Sequence, residues 1–582
     1  MFCFRTILGG IGLVPDKPPD GINAPSSGTG INVSDIVLWT VACVLLFHAL
    51  GDRGLWTSEG RWAEVTRQML ATGDFFHPAI NKAPYFDKPL LSYWLIAIVS
   101  AVTGRLDEWV IRLPSAISGL LALWGTIFLG KRLWSEQVGR TAGWILLTTF
   151  GMLFWARTGT ADMENLAAIT LAVVWYCSRK GGPTFFTFFV FYIICFTGAQ
   201  TKGLVAVAVP VLAVLADLLR QRSFLSLFKP PHLMALAINL AIYLTPFIYA
   251  AMTREGYQAN GLALVFQENI LRYFQPFDHV EPFYVYLYHL PALFLPWAPL
   301  LIIALFKFFT APKNLDRRTR WLMDFVVLVF VFFTVSGSRR SYYILPMLPF
   351  CAILTSVFLN SDGNERWKRL GLGLQSGSFI LIAVLLIFVP LVRPLIEKGM
   401  ALAVPDCFGY GMAILGVLAL IPTFLYRLRL DLIGGIGGAA PKTTAIILTS
   451  AILMGVFFWQ QLNMDVYRTE RPFAMGLKSM VTGISSGRIA FYHEVSPNIL
   501  FYLDLEGPVQ VVNNPESLKK FLAEGSHTKI LVSDQRHTSD VACLLSTVED
   551  VDQPELREKT YPWERKTSKK FVAWKIERQS ES

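Results

Sequence analysis

The sequence predicts a mainly α-helical, polytopic membrane protein that carries a small α/β domain at its C-terminal end. Three observations support this. Hydrophobic residues make up 53% of the 582 residues and charged residues 16%, where a soluble domain has about 45–50% and about 25%. Mean hydropathy is +0.46. Long apolar runs recur as far as residue 463 and then shorten abruptly.

The elements follow in order. Residues 1–34, with Pro15, Pro18, Pro19 and the run Ser26-Ser27-Gly28-Thr29-Gly30, read as a flexible cytoplasmic tail. The first apolar run, 35–50, reads as a retained signal anchor rather than a cleaved peptide. A bilayer-crossing helix needs roughly 17–25 apolar residues. Candidates begin near 34, 112, 138, 162, 183, 203, 233, 283, 321, 341, 370, 407 and 443.

Basic clusters at Lys131-Arg132, Arg179-Lys180, Arg220/Arg222, Lys307 to Arg320, Arg366-Lys368-Arg369 and Arg427/Arg429 orient these spans by the positive-inside trend. All fall on one side only if 89–104 does not cross. The count is then about thirteen spans, with the N-terminus inside and the C-terminus outside. Segments 51–111, 158–163, 199–204, 254–282, 336–343 and 395–406 share the outer face. Residues 35–463 form the membrane domain.

Residues 464–582 hold the short apolar runs Ile489–Tyr492, Ile499–Leu503, Val509–Val512, Lys529–Ser533 and Phe571–Ile576, with a helix expected over Glu516–Glu524 after Pro515. This is the outer α/β domain. The net charge of +10 is accounted for by loop charge, not nucleic-acid binding. The cysteines are scattered as Cys3, Cys43, Cys177, Cys195, Cys351, Cys407 and Cys543 and form neither a disulfide framework nor a zinc motif.

The outer segments pool the polar chemistry, which is costly beside a membrane unless it serves a site. The first offers Glu59, Arg61, Glu64, Arg67, Asp87 and Lys88. An amphipathic helix is expected from Arg61 to Leu70, with Glu64 and Arg67 as a local pair and Glu59 just ahead of it. Asp162 is expected to N-cap a helix. Lys202 is a lone cation between two apolar runs, either snorkelling or binding. Glu268 and Arg272 share a helix face. Arg339 and Arg340 run against the positive-inside trend, which suits headgroup contact or anion binding. Cations suit a phosphate and a carboxylate suits general-base work.

Ser58-Glu59-Gly60-Arg61-Trp62-Ala63-Glu64, Tyr85-Phe86-Asp87-Lys88-Pro89-Leu90, Asp162, Thr201-Lys202-Gly203, Glu268 to Tyr273 and Tyr343 to Pro346 match a family's motifs in order. Together they resemble the bacterial branch of the protein O-mannosyltransferase family (glycosyltransferase family 39), nearest in pattern to its lipid A aminoarabinose transferases. The resemblance implies a GT-C membrane glycosyltransferase of the bacterial inner membrane. It would pass a sugar, with inversion, from a polyprenyl-phosphate carrier to a lipid or glycan acceptor on the periplasmic face. It implies Glu59 and Asp162 as catalytic carboxylates, with Lys88, Arg272, Lys202, Tyr85 and Tyr343 around the donor phosphate. Asp87 and Glu268 match positions near a divalent metal in some relatives, whereas Asn269 stands where one has a histidine. Ser58 replaces the family's first aspartate, so Glu59 would take that role, or the acceptor would need no base. A protein O-glycosyltransferase and a transporter of lipid-linked sugars are the alternative readings.

Overall fold

The computed structural model describes residues 33–577 apart from 180–183, 223–226, 258–262, 264–265, 268–270, 276–280, 401–405, 428–440, 464, 525–527, 547–552 and 561–568. The expected tail lies almost wholly outside the described residues, as does Glu268.

Ten helices build the first half: α1 (Val33–Phe47), α2 (Glu59–Thr72), α3 (Leu91–Thr103), α4 (Glu108–Leu133), α5 (Glu136–Leu147), α6 (Phe150–Ala156), α7 (Asp162–Ser178), α8 (Phe185–Ala199), α9 (Val205–Gln221) and α10 (Pro230–Thr253). At the centre, α4 packs against α5 and α7. Small residues permit that approach: a Cβ on Gly130 of α4 would lie 2.8 Å from the Gly139 Cα of α5, the kind of contact that close membrane-helix packing uses.

Four described helices are both long and apolar enough to cross a membrane: Glu108–Leu133, Pro230–Thr253, Glu365–Ile387 and Lys442–Leu462. Other expected spans are shorter or broken. The run from 138 divides into α5 and α6 because the Thr149 hydroxyl caps α6, accepting from the Met152 N–H at 3.3 Å. At the same break, the Thr148 hydroxyl accepts from the Trp297 indole at 2.8 Å. The run from 283 likewise divides into Val285–Leu293 and Ala298–Thr310.

α3, the stretch expected not to cross, has 13 residues. At 1.5 Å per residue it reaches about 20 Å, short of the roughly 30 Å hydrocarbon core. Segments expected on one face touch one another. The 51–111 segment meets 158–163 where the Gly159 N–H bonds Glu59 at 2.7 Å. The 199–204 loop meets 158–163 where Lys202 pairs with Asp162. Basic residues gather at the opposite end, where Arg140 and Lys131 reach Asp35 at 2.8 and 3.6 Å and Arg220 pairs with Asp324 at 2.5 Å.

Between α2 and α3 a small hairpin pairs β1 (Ala79–Ile80) with β2 (Ala83–Pro84). Its central residues Asn81 and Lys82 have φ of 53° and 59°, as a two-residue turn of the primed kind requires. The C-terminal region forms a five-stranded sheet from β3 (Ile489–Tyr492), β4 (Gln510–Val512), β5 (Lys529–Asp534), β6 (Leu556–Arg557) and β7 (Phe571–Ile576), in the order β4-β3-β5-β7-β6. β3 is parallel to β4 and β5, while β7 is antiparallel to β5 and β6. The expected helix is present as Pro515–Ala523, with a capping box on Asn514. Ile499–Leu503 belongs to a helix, Pro497–Leu503, which the Ser496 side chain caps.

Candidate active site

Glu59 opens α2, rather than preceding it, and is fully buried. Its carboxylate accepts from Arg112 Nε and Nη2 at 2.8 and 2.9 Å, Trp56 N–H at 2.8 Å, Gly159 N–H at 2.7 Å and Arg53 at 3.3 Å. A carboxylate offers about four lone-pair sites, and all are filled. Burial pushes this carboxyl up, but Arg112 and Arg53 outweigh it and hold it at about 2. A group so saturated holds loop and helix together. As it stands in this structure, every oxygen of the residue expected to take the place of the family aspartate is engaged by protein donors.

Asp162 is the first residue of α7, one place beyond the N-cap expected for it. It accepts from the Thr160 hydroxyl at 3.0 Å and forms an ion pair with Lys202. Its carboxylate stands in the first turn, at the positive end of the helix dipole. The Lys202 loop is itself fixed. The Asn165 amide donates to the Gly198 and Gly203 carbonyls at 3.1 and 3.3 Å, and the Leu91 N–H bonds the Gln200 carbonyl at 3.1 Å. Lys202 remains 26% exposed in its side chain, so it is open to a ligand. Burial pulls its ammonium down, but Asp162 and the two tyrosines prevail and raise it. It stays charged at neutral pH.

Tyr342 and Tyr343 stand over that ammonium, with Nζ 4.7 and 5.3 Å from their ring centroids, a cation–π arrangement. The Arg340 guanidinium lies 3.2 Å from the Tyr342 hydroxyl. Arg272 reaches the Ser338 hydroxyl at 3.3 Å. Burial pushes the Tyr343 hydroxyl up, against the pull of Lys202, Arg272 and Arg340. Lys202, Arg272, Arg340 and Tyr343 therefore share one electrostatic neighbourhood.

A second group adjoins it. Arg61 donates to Tyr85 and Asp87, both at 3.1 Å, and Lys88 pairs with Asp87 at 3.3 Å. These residues are joined to the Lys202 loop through the Leu91–Gln200 bond and a Ser92 hydroxyl bond to the Thr201 carbonyl at 3.3 Å. Of the two expected metal positions, Asp87 is described and Glu268 lies outside the described residues. Two cations already engage Asp87, and no trio of potential metal ligands is gathered among the described residues. Glu64 makes the expected pair with Arg67, in bidentate form at 2.8 and 2.9 Å.

Sequence reasoning missed Arg112, Arg53 and Tyr342. Arg112 had a signal: a lone cation opening an apolar run is costly without a partner. Glu59's dependence on it lies far along the chain and had none.

Comparison with known proteins bears on this geometry. Residues 87–249 match the family model described as dolichyl-phosphate-mannose-protein mannosyltransferase. An undecaprenyl phosphate-alpha-4-amino-4-deoxy-L-arabinose arabinosyl transferase of Aeromonas salmonicida is 31% identical over 396 residues, covering 65% of this chain and 71% of that one. The Pectobacterium carotovorum transferase of the same name is 25% identical over 93% of this chain and 98% of its own length. Against two Pseudomonas fluorescens relatives the match spans 56% and 64% of their length. The crystal structure of ArnT from Cupriavidus metallidurans bound to undecaprenyl phosphate superposes with a TM-score of 0.70 at 20% identity, covering 93% of this chain and 97% of that one; this likeness shows the fold. The chain belongs to the family of the undecaprenyl phosphate-alpha-4-amino-4-deoxy-L-arabinose arabinosyl transferases.

Proposed function

We propose that the protein transfers an aminopentose of the 4-amino-4-deoxy-L-arabinose type from undecaprenyl phosphate to a phosphate group of lipid A, at the periplasmic face of a bacterial inner membrane. The observation that carries this reading is the cation neighbourhood of Lys202, Arg272 and Arg340 around Tyr343, with Lys202 tethered by Asp162 and still accessible. It suits a phosphate leaving group. In this reading Lys88 and Tyr85 lie at the donor end, with Arg61 bonded to Tyr85.

In this reading an acceptor oxygen attacks the anomeric carbon from the face opposite the carrier. The carbon–oxygen bond to the carrier breaks, and its electron pair stays on the undecaprenyl phosphate oxygen. Inversion follows. Charge grows on the leaving phosphate, and fixed cations stabilise it where it grows. Asp162 positions Lys202 for that task. A phosphate acceptor is already ionised at neutral pH and has no proton to lose. That fits Ser58 in the place of the family aspartate, and it fits a Glu59 whose lone pairs are all engaged. The outer domain, about residues 464–577, would stand in the periplasm. The gathering of charge at one end of the bundle, not at mid-membrane, favours an enzyme over a transporter.

The test is sugar transfer by the purified full chain from an undecaprenyl-phosphate-linked aminopentose to lipid A, followed by mass spectrometry of the lipid. The expected product is lipid A heavier by one aminopentose. Lys202→Met should lower turnover by about 10²–10³-fold, as removal of an oxyanion stabiliser does. Transfer to a protein hydroxyl instead of lipid A would favour the protein O-glycosyltransferase. Full activity of Lys202→Met would overturn the assignment of the phosphate site.

A further inference from the structure

The loop ahead of α2 is held from outside the membrane domain. The Gly54 N–H bonds both oxygens of Asp465, at 3.1 and 3.2 Å. The Leu55 N–H bonds the Tyr502 hydroxyl at 2.7 Å, and that hydroxyl donates to Glu108 at 2.9 Å. The Thr57 carbonyl accepts from Asn498 at 3.2 Å. Asp465, Asn498 and Tyr502 all come from the C-terminal region, and they take up groups of three of the four residues 54–57. Between them, the Trp56 N–H goes to Glu59 at 2.8 Å.

The held segment is strained. Thr57 has φ of 48°, a left-handed conformation that a β-branched residue adopts only under compulsion. Strain of this kind persists where the surroundings over-determine it, and it clusters at functional sites. The next turn is equally constrained. A Cβ on Gly60 would lie 2.1 Å from the Asn498 side-chain oxygen and 2.6 Å from the Asn498 backbone nitrogen. One residue further, Arg61 reaches Tyr85 and Asp87.

We propose that Tyr502 and Asn498 are positioning residues: through them the C-terminal domain clamps the strained Thr57 turn and thereby aims α2 and its Arg61 at the donor site. The consequence for rate rests on the glycosyltransferase reading above; the mechanical clamp does not. The side-chain bonds of both go to the 54–57 segment, Glu108 and Glu470. The clamp differs from ordinary domain docking, which the reciprocal Asn81–Val509 pair exemplifies at 2.9 and 2.8 Å away from the turn.

The experiment compares the wild-type full chain in lipid nanodiscs with Tyr502→Phe, Asn498→Ala and, as the docking control, Asn81→Ala. Amide hydrogen exchange over residues 54–58 and transfer kinetics are both read. The clamp predicts exchange at least about tenfold faster in Tyr502→Phe and Asn498→Ala, as local opening becomes easier. It predicts kcat lower by about tenfold with the donor KM unchanged, since misplacement by an ångström or less costs rate and not binding. Asn81→Ala should keep wild-type exchange at 54–58 and wild-type kcat.

Unchanged exchange in both clamp variants overturns the proposal. So does an equal fall of kcat in Asn81→Ala, which would mean general docking. If Tyr502→Phe does not fold, Asn498→Ala decides alone by the same readings. If the wild type transfers no sugar, the enzyme reading fails by itself; faster exchange still upholds the clamp, and unchanged exchange still overturns it.

Discussion

Glu59 and Asp162 are both carboxylates in the first turn of a helix, at the same end of the bundle, each paired with a cation. Glu59 is closed: five donors fill its oxygens, and Arg112 is as buried as it is. Asp162 is buried as well but has fewer donors: a threonine hydroxyl and one lysine hold it, and that lysine, partly exposed, lies beside two tyrosines. The difference teaches that position and charge do not make a reactive carboxylate. On the function proposed above, the number of protein donors already spent on it separates scaffold from chemistry.

Three experiments sharpen or break that contrast. The largest effect belongs to Glu59→Gln. It removes one charge of a buried network and leaves Arg112 uncompensated, so the protein should lose about 3–5 kcal/mol of stability, while the molecules that remain folded keep their turnover. Thermal unfolding in detergent and turnover per folded molecule measure the two effects separately. A stable but inactive variant would return Glu59 to the chemistry.

Acid comes next. Burial raises the Glu59 carboxyl, but Arg112 and Arg53 bring it from an ordinary 4.5 to about 2. Between these values the unfolded chain binds the proton and the folded chain does not. The stabilisation is therefore full above pH 4.5 and is lost as pH falls through about 2, amounting to about 3 kcal/mol. Unfolding followed from pH 7 to pH 3 should fall more steeply for the wild type than for Glu59→Gln. Parallel curves would mean that the network does not set the acid limit.

The smallest effect concerns metal. Because Arg61 and Lys88 already engage Asp87, incubation with EDTA should leave transfer unchanged. Loss of activity restored by a divalent ion would mean that Asp87 exchanges its partners when substrate binds.

Much of this architecture was legible in the chain. Hydropathy located the helices, because a bilayer leaves few solutions for apolar runs, and the basic clusters placed the outer segments on one side. The short α3 and the contacts of Glu59 with Gly159 and of Lys202 with Asp162 agree with that parity. The outer carboxylates and cations were readable as residues but not as partners. Arg61 was free by spacing to pair with Glu64, yet it turns to Tyr85 and Asp87, because Arg67 takes Glu64 with both of its forks. Ile499–Leu503 has the composition of a strand. Ser496 and Pro497, a cap followed by a proline in the first turn, are the local signals that make it a helix. What stayed hidden was long-range pairing, above all Arg112 with Glu59 and Tyr502 with Glu108.

Gly60 and Asn498 meet with no room for a single added methyl group, although one stands near the start of the chain and the other near its end. The two positions are therefore not free to vary independently. A chimera that exchanges the C-terminal domain with a relative's, joined near residue 464, would inherit the loop at 54–60 without the surface shaped to receive it. Transplanting acceptor or substrate preference between such proteins would require the two pieces to travel together. The polypeptide is thus divided for engineering not at its apparent domain boundary but around the junction of its two ends.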